Sequence, residues 1–197
     1  MNTYKTISSK AEGLYKEKGS RFIAYSIPVL TLDDVKSGIK ELKKEHPKAR
    51  HHCYAYRLGT DKTEFRANDD GEPSGTAGKP ILGQIDSFKL TNVLIVVVRY
   101  FGGKVLGASG LTKAYKLAAK DSLEQAKLIT KIIKSIYRLE CHYNKLNEVM
   151  NFLKRLEVTI LEKEFDQDCI LKVAIRRDKA DQLESFAGLE AELISTG

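Results

Sequence analysis

Three carboxylates stand beside a cluster of glycines and small hydroxyl residues, a combination that could bind a ligand or support acid–base chemistry. They belong to the segment DDGEPSGTAGKP, from Asp69 to Pro80, which we call the first glycine segment. The second glycine segment, RYFGGKVLGASG, runs from Arg99 to Gly110. Glycine adopts backbone conformations that other residues resist and lets a ligand approach the main chain closely. Since each segment leads into a predicted helix, the pattern predicts one binding site built from both.

The candidate ligand- or nucleic-acid-binding residues come from both segments and from the helix that follows the second. They are Asp70, Glu72, Ser74, Gly75, Thr76, Gly78, Lys79, Arg99, Tyr100, Gly102, Gly103, Lys104, Gly107, Gly110 and Lys113. The backbone amides of Ala77, Gly78 and Lys79 are expected to point outward at a helix start. An anion is favoured there because the amides lack partners and the helix dipole is positive at that end.

Two familiar chemical motifs need spacings that these segments lack. A phosphate-binding P-loop requires GxxxxGK followed by Ser or Thr. Here Pro80 follows Lys79, and Pro73 occupies the position of the first glycine. Ser109 lies in GASG rather than in the GxSxG of a nucleophile elbow. The sequence therefore excludes these two motifs.

The carboxylates of the first glycine segment have several possible roles. Asp69, Asp70 and Glu72 could hold a divalent cation through oxygen ligands, although their spacing is not that of an EF-hand. The alternatives are helix capping, turn hydrogen bonds or a salt bridge to a cation such as Arg99. We assign no catalytic residue, no metal ligand and no cofactor from the sequence.

His51, His52 and Cys53 are adjacent at the start of a predicted strand. Neighbours in a strand point to opposite faces, so the three side chains cannot all ligate one metal ion. A nucleophilic Cys–His pair needs contact between the two side chains. The other interpretation is a buried cysteine beside edge histidines, and the sequence leaves the choice open.

Composition and charge favour an anionic partner for the first part of the chain. The 197 residues are enough for one large or two small domains, and the net charge is +7. Up to Lys127 there are 22 basic and 14 acidic residues (+8), against 11 and 12 from Leu128 onward (−1). The partner could be RNA, a nucleotide or an acidic protein surface.

The polar N-terminus, the lack of a long apolar run and the scattered cysteines predict a cytoplasmic protein with reduced thiols. No membrane contact and no DNA specificity are expected.

Hydrophobic spacing and cap residues predict the elements that position the two segments. The predicted elements are a strand from Ser20 to Val29, a helix capped by Thr31, a hairpin of Cys53 to Leu58 and Thr63 to Asn68, a short helix containing Ile81 and Ile85, a doubly buried central strand from Val93 to Val98, and a helix from about Gly110 to Lys127. Lysines 113, 116, 120 and 127 share one face of that last helix. They could follow an RNA backbone or be a solvated surface.

From Leu128 onward the pattern changes to strand, helix, strand, strand, helix, strand, with a hairpin turn at 166–168. This βαββαβ order is typical of ferredoxin-like domains. We predict two domains, 1–127 and 128–197, with strand and helix joined directly rather than through a linker.

Three motifs closely resemble the Impact/YigZ family. They are HHCYAYR (His51 to Arg57), DDGEPSGTAGKPIL (Asp69 to Leu82) and VVVRYFGGKVLGASGLTKAY (Val96 to Tyr115). The family commonly has Gly where this chain has Ser109, and often Arg in place of Lys113.

The resemblance implies an α/β first domain like the second domain of a small-subunit ribosomal protein. It implies an α+β, ferredoxin-like second domain similar to the last domain of elongation factor G. Eukaryotic members of the family regulate translation initiation by competing for the activator of a stress-responsive initiation-factor kinase. Some bacterial members carry a peptidase label, but this chain shows no peptidase constellation.

The leading hypothesis is therefore a translation-associated regulatory factor that binds RNA, a ribosome or a translation-related protein through its basic first domain. One alternative is an enzyme that acts on a small phosphate- or carboxylate-bearing substrate at the same segments, with Asp70 or Glu72 as acid, base or metal ligand. A second alternative is a protein–protein adaptor.

Overall fold

The computed structural model describes residues 2–165, 168–190 and 192–195. The chain divides into two compact units. The first is Tyr4–Lys131, and the second contains the residues from Ile132 onward together with Asn2 and Thr3. The predicted turn at 166–168 falls largely outside the described residues.

The first unit is built around a five-stranded antiparallel sheet with the strand order β2-β3-β6-β4-β5. Its elements are β1 (Thr3–Ile7), β2 (Ala11–Glu17), β3 (Ser20–Pro28), α1 (Leu32–Glu45), β4 (His51–Leu58), β5 (Glu64–Asn68), α2 (Gly78–Ser87), β6 (Val93–Tyr100), α3 (Gly107–Gln125) and β7 (Leu128–Ile132). β1 and β7 pair with each other outside this sheet.

The sheet has a hydrophobic core on each face because β6 is buried on both sides. Val97 packs with α2 and α3, and Val96 packs with α1 on the opposite face. This confirms the central strand predicted from its continuous β-branched run. Thr31 also caps α1 as predicted: its hydroxyl accepts from the Asp34 amide, and the Asp34 carboxylate accepts from the Thr31 amide.

Strand direction brings the two glycine segments to one edge of the sheet. β5 and β6 each pair antiparallel with β4, so they run in the same direction. Their C-terminal ends, from which the two segments leave, therefore lie at the same edge. The start of β4 lies there too, since His51 is paired with Arg99.

Two strands at the N-terminus were not predicted. β2 is an edge strand with a single buried residue, Gly13, so it carries no hydrophobic alternation. A Cβ at Gly13 would lie 2.2 Å from the Ser122 backbone nitrogen, which shows how closely α3 approaches this strand. The pairing depends on this long-range contact rather than on a local pattern.

The second unit is a four-stranded antiparallel sheet with the strand order β11-β8-β10-β9 and two helices. Its elements are β8 (Lys134–Cys141), α4 (Leu146–Arg155), β9 (Thr159–Phe165), β10 (Cys169–Arg176), α5 (Ala180–Glu190) and β11 (Glu192–Ser195). Leu139, Val149, Leu153, Leu171 and Leu183 are among the residues of its core.

The run from Leu128 to Cys141, where the sequence pattern predicts the first strand of the second domain, forms two strands. β7 pairs with β1, whereas β8 belongs to the sheet of the second unit. The first compact unit includes β7 as far as Lys131. None of the helices in the described part of the chain combines the length and apolar character needed to span a bilayer.

Candidate anion-binding cavity

The two glycine segments and the residues before β4 line one cavity of about 730 Å³ in the first unit. The lining residues are Lys48, Arg50, His51, Glu72, Pro73, Arg99, Tyr100, Phe101, Val105, Leu106, Gly107, Ala108 and Leu111. The first segment supplies the acidic residue, the second supplies most of the wall, and the chain before β4 supplies further cations. The volume lies within the range of about 300–1,000 Å³ that small-molecule sites occupy.

The charge of the cavity lining is positive. Lys48, Arg50 and Arg99 carry positive charges, and Glu72 is the one acidic residue of the lining. Glu72 is already neutralised, since Arg99 Nη1 donates to its Oε1 over 2.6 Å. Lys48 and Arg50 are exposed, and neither forms an ion pair within the described part of the chain. The cavity therefore presents uncompensated positive charge to whatever enters it.

Glu72 is the centre of a buried hydrogen-bond network beneath the cavity. Its side chain is 4% exposed and that of Arg99 is 9% exposed. The Tyr115 hydroxyl donates to the same Glu72 Oε1 over 2.7 Å, and the Cys53 thiol lies 3.3 Å from the Tyr115 oxygen. This network joins β4, the first segment, β6 and α3, so Glu72 holds Arg99 in place rather than facing solvent as a free acid.

Cys53 is a buried, free thiol. Burial, with a smaller contribution from the carboxylates of Glu72, Asp70 and Asp69, raises the pKa of the Cys53 thiol to about 12, although the hydrogen bond to Tyr115 acts in the opposite direction. Burial also raises the pKa of Tyr115 above its ordinary value. The thiol therefore stays protonated at neutral pH, whereas a nucleophilic cysteine requires a lowered pKa.

Asp69 closes the first glycine segment by accepting from three backbone amides. Its Oδ2 accepts from the Gly75 amide over 2.8 Å, and its Oδ1 accepts from the Ala77 and Gly78 amides over 2.9 and 2.8 Å. The expectation that Ala77 and Gly78 offer free amides to an anion is wrong, because a carboxylate of the chain already occupies them. Gly78 is required here for space, since a Cβ would lie 2.5 Å from the Asn68 nitrogen.

Asp70 and the two histidines form a second set of internal bonds. The Asp70 carboxylate accepts from the His52 backbone amide over 2.7 Å. The backbone carbonyl of Asp70 accepts from His51 Nδ1 over 2.9 Å. A carbonyl can only accept, so the Nδ1 proton is fixed and Nε2 of His51 remains available. His52 faces away from His51 and is 5% exposed; burial lowers its pKa.

The three carboxylates thus act as hydrogen-bond acceptors and ion-pair partners. Within the described residues, no group of three or more His, Cys, Asp or Glu side chains is placed to hold a metal ion.

The stabilising effect of Asp69 is expected to depend on pH. Burial raises its pKa, but the amides of Gly75, Gly78 and Ala77 together outweigh burial and hold it below the ordinary value. Because the folded-state pKa lies below the unfolded-state value, the Asp69 carboxylate stabilises the fold fully above about pH 3.9, and this stabilisation is lost as the pH falls through the folded-state pKa.

We therefore expect Asp69→Ala to lower the free energy of unfolding by about 2 kcal/mol at pH 7 and by clearly less at pH 2.5, as measured by urea unfolding. Glu64→Ala, an exposed carboxylate on β5, is the control. An equal cost of Asp69→Ala at both pH values would contradict this role.

The N-terminus of α3 differs from that of α2 because nothing in the described chain caps it. Its cap residue is Leu106, and no side chain accepts from its first-turn amides. Gly107 and Ala108, the first two helical residues, line the cavity. The positive end of a 19-residue helix is therefore directed at the same space as Arg99.

The candidate residues of the sequence fall into two groups in the structure. Those that line the cavity are Glu72, Arg99, Tyr100 and Gly107. Those that do not are Asp70, Ser74, Gly75, Thr76, Gly78, Lys79, Gly102, Gly103, Lys104, Gly110 and Lys113. Thr76 is 6% exposed and donates its hydroxyl to the Pro73 carbonyl, and Lys79, Lys104 and Lys113 are exposed.

Sequence reasoning missed the cations that come from the chain before β4. Lys48 and Arg50 reach the cavity because β4 pairs with β6 in the register that sets His51 opposite Arg99. Phe101 and Val105 were also not among the candidate site residues, although they are 60% and 83% exposed beside the cavity. The sequence did contain a signal for these two residues: large apolar side chains stand between the glycines of the second segment, where no regular element is predicted to bury them.

Comparisons with known proteins agree with this architecture. The family model of the Impact N-terminal domain matches residues 18–123. An IMPACT family member from Haemophilus influenzae is 36% identical over 170 residues, covering 85% of this chain and 82% of that protein. The IMPACT family member YigZ from Escherichia coli is 34% identical over 170 residues, covering 85% and 83%. A crystal structure described as a hypothetical protein is 30% identical, covers 100% of this chain and 98% of its own, and has a TM-score of 0.78.

Proposed function

The chain belongs to the IMPACT family, and on that premise we propose that it is a translation-associated regulatory factor that binds RNA through its first unit. The family resemblance implies the role in translation. The cationic cavity supports RNA as the partner because phosphate contacts dominate the affinity of proteins for nucleic acids. The cationic cavity is the observation on which the proposal rests.

A row of lysines on α3 extends the positive surface beyond the cavity. Lys113 and Lys116 are exposed, and neither forms an ion pair among the described residues. Lys120 continues the row but pairs with Glu124 over 3.3 Å. Because the row begins about one and a half turns after the cavity-lining start of α3, one RNA strand could contact both.

The finer fold assignments belong to the same proposal. We propose that the second unit is a ferredoxin-like domain similar to the last domain of elongation factor G. Its strand order β11-β8-β10-β9 and its βαββαβ sequence of elements support this. We further propose that the first unit resembles the second domain of a small-subunit ribosomal protein and that the two units are separate domains.

RNA binding should be salt-dependent and should involve the α3 lysines. We expect Lys113→Ala combined with Lys116→Ala to weaken binding of a single-stranded RNA and to make the slope of log K against log salt shallower by about 1.4, or 0.7 per lost phosphate contact. The measurement is fluorescence anisotropy of a labelled RNA across a salt series.

The matched control removes the same charge from the second unit. Lys154→Ala combined with Lys163→Ala changes two exposed lysines there and should leave both affinity and slope unchanged. No RNA binding by the unaltered protein at low salt would reject the proposal and favour the adaptor hypothesis. Equal effects of the two double variants would reject the α3 lysines as the contact surface.

A further inference from the structure

We propose that the cavity is a specific site for a nucleotide 5′-phosphate, with the phosphate at the N-terminus of α3 beside Arg99 and the base against Phe101. The inference rests on the proposed function in that the site lies on the RNA-binding surface. It adds a preference for one end of the RNA, or for a free nucleotide, that general phosphate attraction does not give.

The start of α3 supplies backbone donors for the phosphate. Gly107 and Ala108 line the cavity, and no side chain of the described residues occupies the first-turn amides. The start of α2 shows the contrast, because Asp69 already fills it with a carboxylate. Of the helix starts that follow the two glycine segments, only the one at α3 is open to an external anion.

Arg99 supplies an independent observation that points to an anion. Its side chain is 9% exposed and lines the cavity. Arg99 Nη1 donates to Glu72, but the buried Nε of Arg99 has no hydrogen-bond partner in the described part of the chain. Buried donors are nearly always satisfied. Because Nε is closed to solvent, a phosphate in the cavity would accept from Nη2, which Glu72 leaves unused, in a charge-assisted hydrogen bond.

The charge of the site favours a terminal phosphate over an internal one. Arg99 is balanced by Glu72, so Lys48, Arg50 and the helix end remain uncompensated. A phosphate monoester carries about −1.5 to −2 charges at pH 7, whereas a diester within a strand carries one. The monoester therefore neutralises the site more completely.

The wall of the cavity suits a base rather than a bare phosphate ion. Phe101 is 60% exposed and Val105 is 83% exposed. The Arg99 guanidinium carbon lies 5.7 Å from the centroid of the Phe101 ring. An exposed aromatic ring beside a guanidinium is a platform on which a nucleic-acid base stacks. The cavity volume of about 730 Å³ leaves room for both parts of a nucleotide.

The test compares one RNA decamer with a 5′-phosphate and with a 5′-hydroxyl, using the full chain. We expect the 5′-phosphorylated RNA to bind about tenfold more tightly. Adenosine 5′-monophosphate should compete for the preference, and adenosine should not. Arg50→Ala and Phe101→Ala change exposed side chains and should abolish the preference. The double variant Lys113→Ala, Lys116→Ala should weaken the binding of both RNAs equally and keep the preference for the 5′-phosphorylated one.

The outcomes separate this inference from the proposed function. Equal affinity for the two RNAs would overturn the 5′-phosphate site and leave RNA binding intact. Binding of adenosine 5′-monophosphate without binding of either RNA would support the site, identify a free nucleotide as the source, and reject the RNA-binding function. A preference that survives Arg50→Ala and Phe101→Ala would place 5′-phosphate recognition elsewhere and overturn the inference.

Discussion

Replacing Glu72 with alanine is expected to lower the free energy of unfolding by about 3–5 kcal/mol, the usual cost of breaking a buried ion pair. The substitution leaves the guanidinium of Arg99 buried without its counter-charge and removes the acceptor of the Tyr115 hydroxyl. Urea unfolding followed by circular dichroism measures the change. A capping role, which the sequence left open for this residue, would cost only about 1 kcal/mol.

Two further variants test whether the cost comes from the buried pair. Glu124→Ala breaks a pair whose side chains are 47% and 51% exposed, and it should change stability by no more than about 0.5 kcal/mol. Glu72→Gln keeps an acceptor for Tyr115 but not the charge, so its cost should lie between the other two. If Glu72→Ala proved no more costly than Glu124→Ala, Glu72 would not anchor Arg99.

Elements with local signals could be predicted from the sequence. Thr31 and Asp34 form a capping box within a single turn, and the apolar run of β6 shows burial on both faces without reference to any partner. The two glycine segments were also recognisable, since clusters of this composition have few structural uses within one element.

The roles of the carboxylates within the first segment could not be predicted in the same way. Asp69, Asp70 and Glu72 are adjacent in the sequence, yet one accepts from helix amides, one from the backbone of β4, and one from Arg99. Which partner each finds depends on how β4 and β6 pair, and that register involves residues far apart in the chain. The same register brings Lys48 and Arg50 to the cavity.

The structure gives the two glycine segments different tasks. The first is satisfied by its own carboxylates and holds Arg99 in position through Glu72. The second carries the open helix start at Gly107 and the exposed Phe101. In the proposed site the first segment is therefore the structural half, and the second segment is the half that faces the ligand.

Two neighbouring glycines of the second segment are needed for different physical reasons. A Cβ at Gly102 would lie 1.9 Å from the carbonyl carbon of Gly19 and 2.1 Å from the nitrogen of Ser20, both in the backbone of the β2–β3 turn. The Gly102 amide also donates to the Ser20 hydroxyl over 3.1 Å. A Cβ at Gly103 would have no atom within 4 Å, but the φ angle of Gly103 is +85°, a conformation that L-amino acids adopt only at a cost in free energy.

Gly102→Ala is accordingly expected to cost about 3 kcal/mol or more, at the upper end of overpacking effects, because only backbone can give way. Gly103→Ala should cost about 1–2 kcal/mol, the price of the left-handed conformation, and Gly103→Asn less, since asparagine tolerates that region. Urea unfolding of the three variants gives the order of their free energies of unfolding.

Gly102→Ala should also displace Phe101, which is adjacent to Gly102 in the chain. It should therefore weaken binding of the 5′-phosphorylated RNA more than its loss of stability at 25 °C would explain. Equal costs for the two alanine variants would show that the second segment moves freely away from the β2–β3 turn, and that its packing does not shape the cavity.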